Sequence, residues 1–238
     1  MKKLLLTSVL SFSAIFAASN DDILGLYDKE ALKAHGLTME IVKREPLNDG
    51  SGFEMVVLKM SQGNMSQEDI IFVKDDIMVQ DIVNLKTKKS LKAEFEADAL
   101  LGKISEVYHK EEPKNIIKLG NDANKPTLLM LTDTNCPYCK MEIGNIEESL
   151  KTNNYEIIMV SVGGENSHQK SAKIYEEVAN AKDDAAKIAV LKKYYAEDAS
   201  ATGASEAELK RLQKLSDKYF AAGITGVPFI MDLAKIKK

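Results

Sequence analysis

Cysteine is scarce in this sequence, which has only two, Cys136 and Cys139, among 238 residues. No third cysteine can pair with either of them, so a network of disulfide bonds cannot hold the fold together. The two are separated by only two residues, and closing so small a loop removes little entropy from the unfolded chain. The fold must therefore be stabilised by an apolar core, for which a content of 45% hydrophobic residues is sufficient.

Histidine is also scarce, and the three histidines, His35, His109 and His168, are scattered along the chain. A tetrahedral zinc site needs four ligands, of which the cysteine pair would supply half. No two histidines stand at a spacing that is typical of metal ligands, so the sequence favours no metal site. Each histidine is predicted to lie on the surface or at the end of a helix.

Basic residues are not in excess, since 32 lysines and arginines stand against 36 acidic residues. The net charge of −4 and the absence of a basic stripe argue against nucleic acid as a partner. A long apolar run occurs only at the N-terminus, and nothing else in the chain is predicted to cross a bilayer. The content of 29% charged residues is typical of soluble globular proteins.

Residues 1–19, MKKLLLTSVLSFSAIFAAS, predict a secretory signal peptide. Lys2 and Lys3 form its basic start, an apolar run follows, and small residues allow cleavage after Ala17 or Ser19. The run is shorter than the roughly 20 residues of a membrane span, and an uncleaved anchor or a buried helix is the alternative. Cleavage would change the net charge to −6 and expose the cysteines to an oxidising compartment, where disulfides persist.

Residues 20–87 are predicted to form a small α+β domain. Residues 28–36 have helical spacing and end at a glycine. Two hairpins follow: MEIVKREPL and FEMVVLKM flank the turn NDGSG, and DIIFVK and IMVQDIV flank Asp75 and Asp76. A domain of this size is marginally stable alone, and dimerisation would enlarge its core.

Residues 88–112 have the composition of a helix and are predicted to link two domains. Leu91, Phe95 and Ile104 approximate an apolar stripe. Pro113 marks the end of this helix. The alternative is an ordinary helix that belongs to the second domain.

Residues 113–238 are predicted to form a second domain around a βαβ unit. The apolar runs at 126–133 and 155–162 are typical of strands that are buried on both faces. A segment with helical spacing lies between them, which completes the unit. Cys136 and Cys139 are thereby predicted to lie where the first strand passes into the helix.

A helical insertion at about 165–222 is predicted within this second domain. Its last helix begins at Ser205, which with Glu208 has the pattern of a capping box. The final strand is predicted to follow Pro228.

The position of Cys136 predicts its chemistry. Free N–H groups and the positive end of the helix dipole stabilise an anion such as a thiolate at a helix N-terminus. Cysteines in such positions titrate at roughly 3.5 to 7.5, compared with about 8.5 for a free cysteine. Pro137 suits the first helical turn, and Cys139, almost one turn later, is predicted to be more buried. We interpret the pair as an exposed nucleophile and a shielded resolving thiol, as thiol–disulfide exchange requires.

Val227 and Pro228 provide an independent indication. The cis form is common only for bonds to proline. A cis-proline at the entrance of a strand can turn the preceding backbone outward, so we expect this loop to face the cysteines. An ordinary turn with a trans-proline is the alternative.

LTDTNCPYC, followed near the end of the chain by TGVPFI, resembles the thioredoxin superfamily. The order of a signal peptide, a small hairpin-rich domain, a helix and the cysteine-containing domain resembles the bacterial DsbC/DsbG thiol:disulfide interchange proteins, as does KEALKAHGLTMEIVKREPL. The resemblance implies an α+β fold, in which a thioredoxin-like domain with a helical insertion follows a small α+β dimerisation domain and a linker helix.

The same resemblance implies a periplasmic homodimer that acts as a disulfide isomerase or reductase on unfolded or misoxidised secreted proteins. It implies no cofactor beyond the redox-active disulfide of the two cysteines, and it implies a membrane-bound thiol reductant of the DsbD/CcdA type. The site residues that it implies are the nucleophile Cys136, the resolving thiol Cys139, the redox-tuning Pro137, and the substrate-binding Tyr138, Val227 and Pro228.

Two features depart from the family pattern. Val227 stands where these relatives usually have threonine, and valine is typical of the oxidase DsbA. The chain also ends ten residues after Pro228, and LAKIKK is too short for the strand and helix that complete a thioredoxin domain. The valine makes a disulfide-introducing oxidase on the same dimeric scaffold the first alternative. A chaperone-type binding protein and a reductant of sulfenylated cysteines are further alternatives.

Overall fold

The computed structural model describes residues 18–63 and 65–236. Nearly all of the predicted signal peptide lies outside the described residues and stays a prediction. The chain divides into two compact units, of which the first ends at Ala97 and the second begins at Asp98.

The first unit combines two short helices with an antiparallel sheet. The four main strands lie in the order β1-β2-β3-β4, and a small ribbon of two strands precedes the long helix α3. The elements are α1 (Asn20–Leu24), α2 (Lys29–Ala34), β1 (Leu37–Pro46), β2 (Glu54–Gln62), β3 (Met65–Lys74), β4 (Ile77–Val79), β5 (Val83–Asn84), β6 (Lys89–Ser90) and α3 (Leu91–His109).

The predicted helix at 28–36 and the two predicted hairpins are confirmed, with one difference. The hairpins join into a single sheet because β2 also pairs with β3, where Val56 lies opposite Ile71. Helix α1 was missed by the sequence analysis. Its start is a capping box, in which Ser19 Oγ accepts the N–H of Asp22 at 3.1 Å and the Asp22 carboxylate accepts the N–H of Ser19 at 2.9 Å.

The core of the first unit lies on both faces of the sheet, because side chains alternate along a strand. Val56, Leu58, Ile71 and Val73 form one cluster with Ile23 of α1. Their neighbours Met55, Ile70 and Phe72 point to the other face, where they pack with Leu91 and Phe95 at the start of α3. Helix α1, at the start of the first unit in sequence, therefore covers one face of the sheet. The first residues of α3, at the end of this unit in sequence, cover the other face.

Helix α3 contributes residues to both units. Leu91 and Phe95 pack in the first unit, and Ile104 is fully buried in a cluster of the second. The two compact units divide within this helix. The predicted domain limits at residues 87 and 112 stay predictions. Within residues 18–63 and 65–236, neither α3 nor any other helix is long and apolar enough to cross a membrane.

The second unit surrounds a four-stranded sheet with helices. The strand order is β10-β8-β9-β7, in which β8 and β9 are parallel and both outer pairings are antiparallel. The elements are β7 (Ile117–Leu119), β8 (Thr127–Thr132), α4 (Pro137–Gly144), α5 (Ile146–Ser149), β9 (Asn154–Met159), α6 (Glu165–Ala179), α7 (Asp184–Tyr195), α8 (Glu206–Ala221) and β10 (Phe229–Asp232).

The central strands are buried on both faces, which confirms the prediction for the βαβ unit. Met130 of β8 and Ile157 of β9 lie in one cluster with Ile143 of α4. Leu129, Leu131 and Ile158 alternate with them and pack on the other face with Leu212 and Leu215 of α8. Each central strand is thus predominantly apolar because both of its faces are buried, although β9 also carries the buried Glu156.

The helical insertion is confirmed as α6, α7 and α8, although its capping box is only half formed. Ser205 Oγ accepts the N–H of Glu208 at 3.2 Å, but the Glu208 carboxylate pairs with Arg211 at 2.6 Å instead of reaching back. Strand β7, at the edge of the sheet, was missed. The segment Leu233–Lys235 after β10 forms a single 3₁₀ turn.

The prediction that the histidines lie on the surface or at helix ends is confirmed for His35 and His109 and is wrong for His168. His35 caps the end of α2 and His109 is the last residue of α3. His168 of α6 is buried, with 5% of its surface exposed, because the helix packs inside the second unit. Its Nε2 has no hydrogen-bond partner among the described residues. Burial lowers the pKa of His168, and the carboxylates of Asp133 and Asp217 oppose this shift.

Stability should depend on pH through His168. In the native state the pKa is below the value of about 6.5 for an unfolded chain, so unfolding takes up a proton at mildly acidic pH. The contribution of the neutral His168 to the free energy of unfolding is therefore fully present above about pH 6.5. It is lost as the pH decreases toward the native-state pKa. We expect thermal unfolding of His168→Gln to depend less on pH between 7.5 and 5 than that of the native protein.

The matched control is His35→Gln, which changes an exposed histidine. Its midpoint temperatures should follow those of the native protein at every pH. An unaltered pH dependence in His168→Gln would contradict the assignment.

Candidate active site

The two cysteines lie at the junction between β8 and α4. Cys136 is the N-cap residue of α4, and its carbonyl accepts the N–H of Lys140 at 3.0 Å. Its own N–H donates to the carbonyl of Asp133 at 3.2 Å, which closes a tight turn after the strand. Pro137 is the first helical residue, where a missing N–H costs no hydrogen bond. The backbone therefore holds Cys136 at the helix N-terminus.

The cysteines differ in exposure, as predicted. Cys136 is partly exposed, whereas Cys139 is fully buried in the cluster that contains Met130 and Ile143. Burial raises the pKa of the Cys139 thiol to about 12. Hydrogen bonds from the Thr132 side chain and the Asp133 backbone favour the thiolate and oppose this rise. The site thus combines an accessible sulfur with one that is shielded from solvent.

The loop before β10 faces the first of these sulfurs. The Val227–Pro228 peptide bond is cis. The Val227 carbonyl accepts a hydrogen bond from Cys136 Sγ at 3.2 Å. The structure therefore brings together residues that are 91 positions apart in the sequence.

Tyr138 does not take part in this contact. It is 71% exposed at the second position of α4, and Met141 on the same helix is 63% exposed. Val162, in the segment that follows β9, is 53% exposed. Three solvent-facing apolar side chains thus lie on the elements that follow β8 and β9.

A buried carboxylate organises the turn before Cys136, and the sequence analysis did not identify it. Asp133 is 1% exposed and accepts four hydrogen bonds. Its Oδ1 accepts the N–H of Asn135 at 2.8 Å and the hydroxyl of Ser167 at 2.6 Å. Its Oδ2 accepts the N–H groups of Val162 at 2.6 Å and Gly163 at 2.8 Å. One side chain therefore joins the cysteine turn, the loop after β9 and helix α6.

Asn135, the residue before Cys136, is held from α6 as well. Its Oδ1 accepts a hydrogen bond from Lys170 Nζ at 2.9 Å. Lys170 is 3% exposed, and burial lowers the pKa of its ammonium group, with a further contribution from the charge of Lys140. A buried cation from the insertion therefore lies directly behind the cysteine turn.

The neighbouring Gly163 is required by this packing. A Cβ atom there would lie 2.5 Å from Ser167 Oγ and 3.0 Å from Asn135 Nδ2. Only glycine lets the loop after β9 approach Asp133 closely enough to donate its N–H.

Metal binding finds no support in this region. Within the described ranges of the chain, no group of three or more histidine, cysteine, aspartate or glutamate side chains could hold a metal ion.

The Asp133 network gives a prediction for stability. Asp133→Asn replaces one accepting oxygen by an NH₂ group, so at least one of the four donors loses its acceptor. We expect a loss of about 1–3 kcal/mol in the free energy of unfolding. Urea denaturation measures this loss, and Asp217→Asn, on the exposed side of α8, is the control that should change stability by less than about 0.5 kcal/mol. Equal stability of the two variants would contradict the role of Asp133.

Comparison with known proteins identifies the fold. The AhpC/TSA family model matches residues 102–207, which is less than half of the chain. No curated protein sequence matches the chain. Among solved structures, the chain is similar to DsbG of Helicobacter pylori, with 22% identity, a TM-score of 0.53, and coverage of 89% of this chain and 99% of that one.

Two further structures are similar over a shorter length. ScsC of Proteus mirabilis, in a form with a linker deletion and a substitution, has 20% identity and a TM-score of 0.46, and the match covers 59% of this chain and 76% of that one. The protein α-DsbA2 of Wolbachia pipientis has 15% identity and a TM-score of 0.43, with coverage of 58% and 86%. The match to DsbG, together with the family model, shows a mixed α/β structure with a thioredoxin-like fold.

Proposed function

We propose that this protein is a thiol–disulfide oxidoreductase that acts as a disulfide isomerase or reductase on secreted proteins. One observation carries the proposal: Cys136 lies partly exposed at the start of α4, 3.2 Å from the Val227 carbonyl, with Cys139 buried one helical turn behind it. An accessible sulfur with a second thiol in reach is the arrangement that exchange chemistry uses.

The reaction begins when the Cys136 thiolate attacks a disulfide of the client protein. A bond forms between Cys136 and one client sulfur, and the other client sulfur leaves as a thiolate and takes up a proton. In the reductase reaction, Cys139 then attacks Cys136 and releases the second client sulfur, so that two electrons have passed to the client. A membrane-bound thiol reductant of the DsbD/CcdA type would restore the two thiols of the enzyme.

In the isomerase reaction, another thiol of the client attacks the mixed disulfide instead. The client disulfide is then replaced by a different one and no electrons are transferred overall. The reduced form of Cys136 is regenerated directly, so this reaction requires no cofactor.

The surroundings of Cys136 suit an extended polypeptide. Tyr138, Met141 and Val162 are exposed apolar side chains on the adjoining elements, where they could contact the side chains of an unfolded client. Val227 and Pro228 present backbone next to the reactive sulfur. We assign substrate contacts to Tyr138, Val227 and Pro228, and redox tuning to Pro137.

We further propose that the protein is a periplasmic homodimer, formed through the first unit. Of the eleven exposed large apolar side chains among the described residues, seven belong to that unit. Burying them against a second copy would add apolar area to a small core. The seven are Leu26, Val42, Met60, Met65, Ile77, Val83 and Leu85.

An oxidase that introduces disulfides is the second candidate, because valine precedes the cis-proline. Refolding of ribonuclease distinguishes the two. We expect the protein to restore activity to scrambled ribonuclease in a glutathione buffer. Recovery only from reduced ribonuclease, under oxidising conditions, would replace the isomerase proposal by the oxidase.

The variants of the two cysteines provide the mechanistic prediction. Cys136→Ser should lower the refolding of scrambled ribonuclease to the uncatalysed rate, because the nucleophile is lost. Cys139→Ser should accumulate a mixed disulfide with the client, visible on a non-reducing gel, because the resolving thiol is lost. A Cys136→Ser variant that retains activity and only prevents aggregation would support a chaperone-type binding protein instead.

The oligomeric state provides a separate prediction. Light scattering of the mature chain should give twice the mass of one chain. Met65→Glu should shift the protein toward the monomer, because it would place a charge in an apolar interface. Met141→Glu, which changes an exposed methionine of the second unit, is the control and should stay dimeric. A monomeric native protein would contradict dimerisation.

A further inference from the structure

The cluster that holds the buried Cys139 also contains a buried hydroxyl group that is paired with a second one. Thr132 is the last residue of β8 and is fully buried. Its Oγ1 lies 2.9 Å from the hydroxyl oxygen of Tyr195, the last residue of α7, which is 4% exposed. Tyr195 packs in the same buried cluster as Cys139, and the Thr132 side chain lowers the pKa of the Cys139 thiol. Three polar groups, two of them supplied by β8 and α7, thus lie together in the interior of the second unit.

The number of hydrogens on these three groups decides which of them can donate to which. A thiolate only accepts, and a hydroxyl carries a single hydrogen. When Cys139 is ionised, Thr132 must therefore direct its hydrogen to the sulfur, and Tyr195 must donate to Thr132 Oγ1. Burial keeps the pKa of Tyr195 well above its ordinary value, so its hydroxyl retains the hydrogen that it donates.

We propose that Tyr195 and Thr132 form a donor relay that stabilises the Cys139 thiolate in the step that resolves the mixed disulfide. Thr132 contacts the reacting sulfur, and Tyr195 acts through Thr132 as a positioning residue. This inference rests on the proposed function, because it assigns roles in one step of thiol–disulfide exchange.

The resolving step requires such stabilisation. Cys139 must lose its proton to solvent in a buried position, attack Cys136 and expel the client sulfur, which takes up a proton in turn. In the reduced enzyme, the charge of Cys136 also disfavours the Cys139 thiolate, but in the mixed disulfide Cys136 is bonded and uncharged. Burial is then opposed mainly by the two donors, the Thr132 hydroxyl and the Asp133 N–H.

Ellman's reagent separates the two steps in the full-length mature protein. The reduced enzyme releases a first coloured thiolate when Cys136 attacks the reagent, and a second when Cys139 resolves the mixed disulfide. Both releases are followed by stopped-flow absorbance as a function of pH. The first phase reports on Cys136 and the second on Cys139.

Tyr195→Phe removes the positioning hydroxyl and keeps the ring. We expect it to slow the second phase by about threefold, and Thr132→Val by about tenfold, since a lost hydrogen bond to a thiolate is partly offset by higher nucleophilicity. The midpoint of the pH profile of the second phase should move to higher pH in both, and the first phase should stay unchanged. The double variant should be no slower than Thr132→Val, because Tyr195 acts through Thr132.

Tyr194→Phe is the matched control. It removes a tyrosine hydroxyl from the same helix, where the partner is Glu177 at 2.5 Å, and should leave both phases unchanged. Thr132→Ser keeps the direct donor and should retain the native pH profile, which tests the relay even if Thr132→Val fails to fold.

The result that overturns the relay is a Tyr195→Phe protein whose second phase has the native rate and pH profile. A change in thermal stability without a change in that profile would also overturn it, because a structural role alone would account for both. Failure of the proposed function itself is distinguishable, since the native protein would then lack a fast first phase.

Discussion

The site depends on how the chain leaves β8 and enters α4. Four residues, Asp133 to Cys136, connect a buried strand to a helix, and their polar groups must find partners away from water. The Asp133 carboxylate accepts four hydrogen bonds at this point. Because its donors come from the turn itself, from the loop after β9 and from α6, one buried charge fixes three segments. Cys136 is the last residue of that turn, so the same hydrogen bonds position its sulfur.

Strand β8 contributes to the surroundings of Cys139 through the alternation of its side chains. Met130 faces the cluster that contains Cys139, while Leu129 and Leu131 face α8. Thr132, the last residue of the strand, continues the register of Met130, and Asp133 follows it as the first residue of the turn. A shift of one residue would exchange the polar and apolar partners of Cys139. The register of a core strand therefore decides the environment of Cys139.

The sequence predicted those parts of the site that lie close together along the chain. The CxxC spacing and Pro137 indicated a helix start, and the apolar runs at 126–133 and 155–162 indicated buried strands. Asp133 and Asn135 stood within the quoted motif, yet their roles depend on Ser167 and Lys170, more than thirty residues away. Spacing cannot reveal such contacts, because they arise from packing between elements. For the same reason, the prediction that His168 lies on the surface or at the end of a helix was wrong.

The helical insertion is consequently part of the site. Helix α6 supplies Ser167 and Lys170 to the turn before Cys136, and α7 supplies Tyr195 to the hydroxyl beside Cys139. The turn before Cys136 and the hydroxyl of Thr132 are therefore held by different helices of one insertion. Substitutions in α6 would act first on the turn before Cys136 and those in α7 on Thr132. An insertion of this kind gives a thioredoxin-like fold a means to adjust the two sulfurs separately, without altering the residues between them.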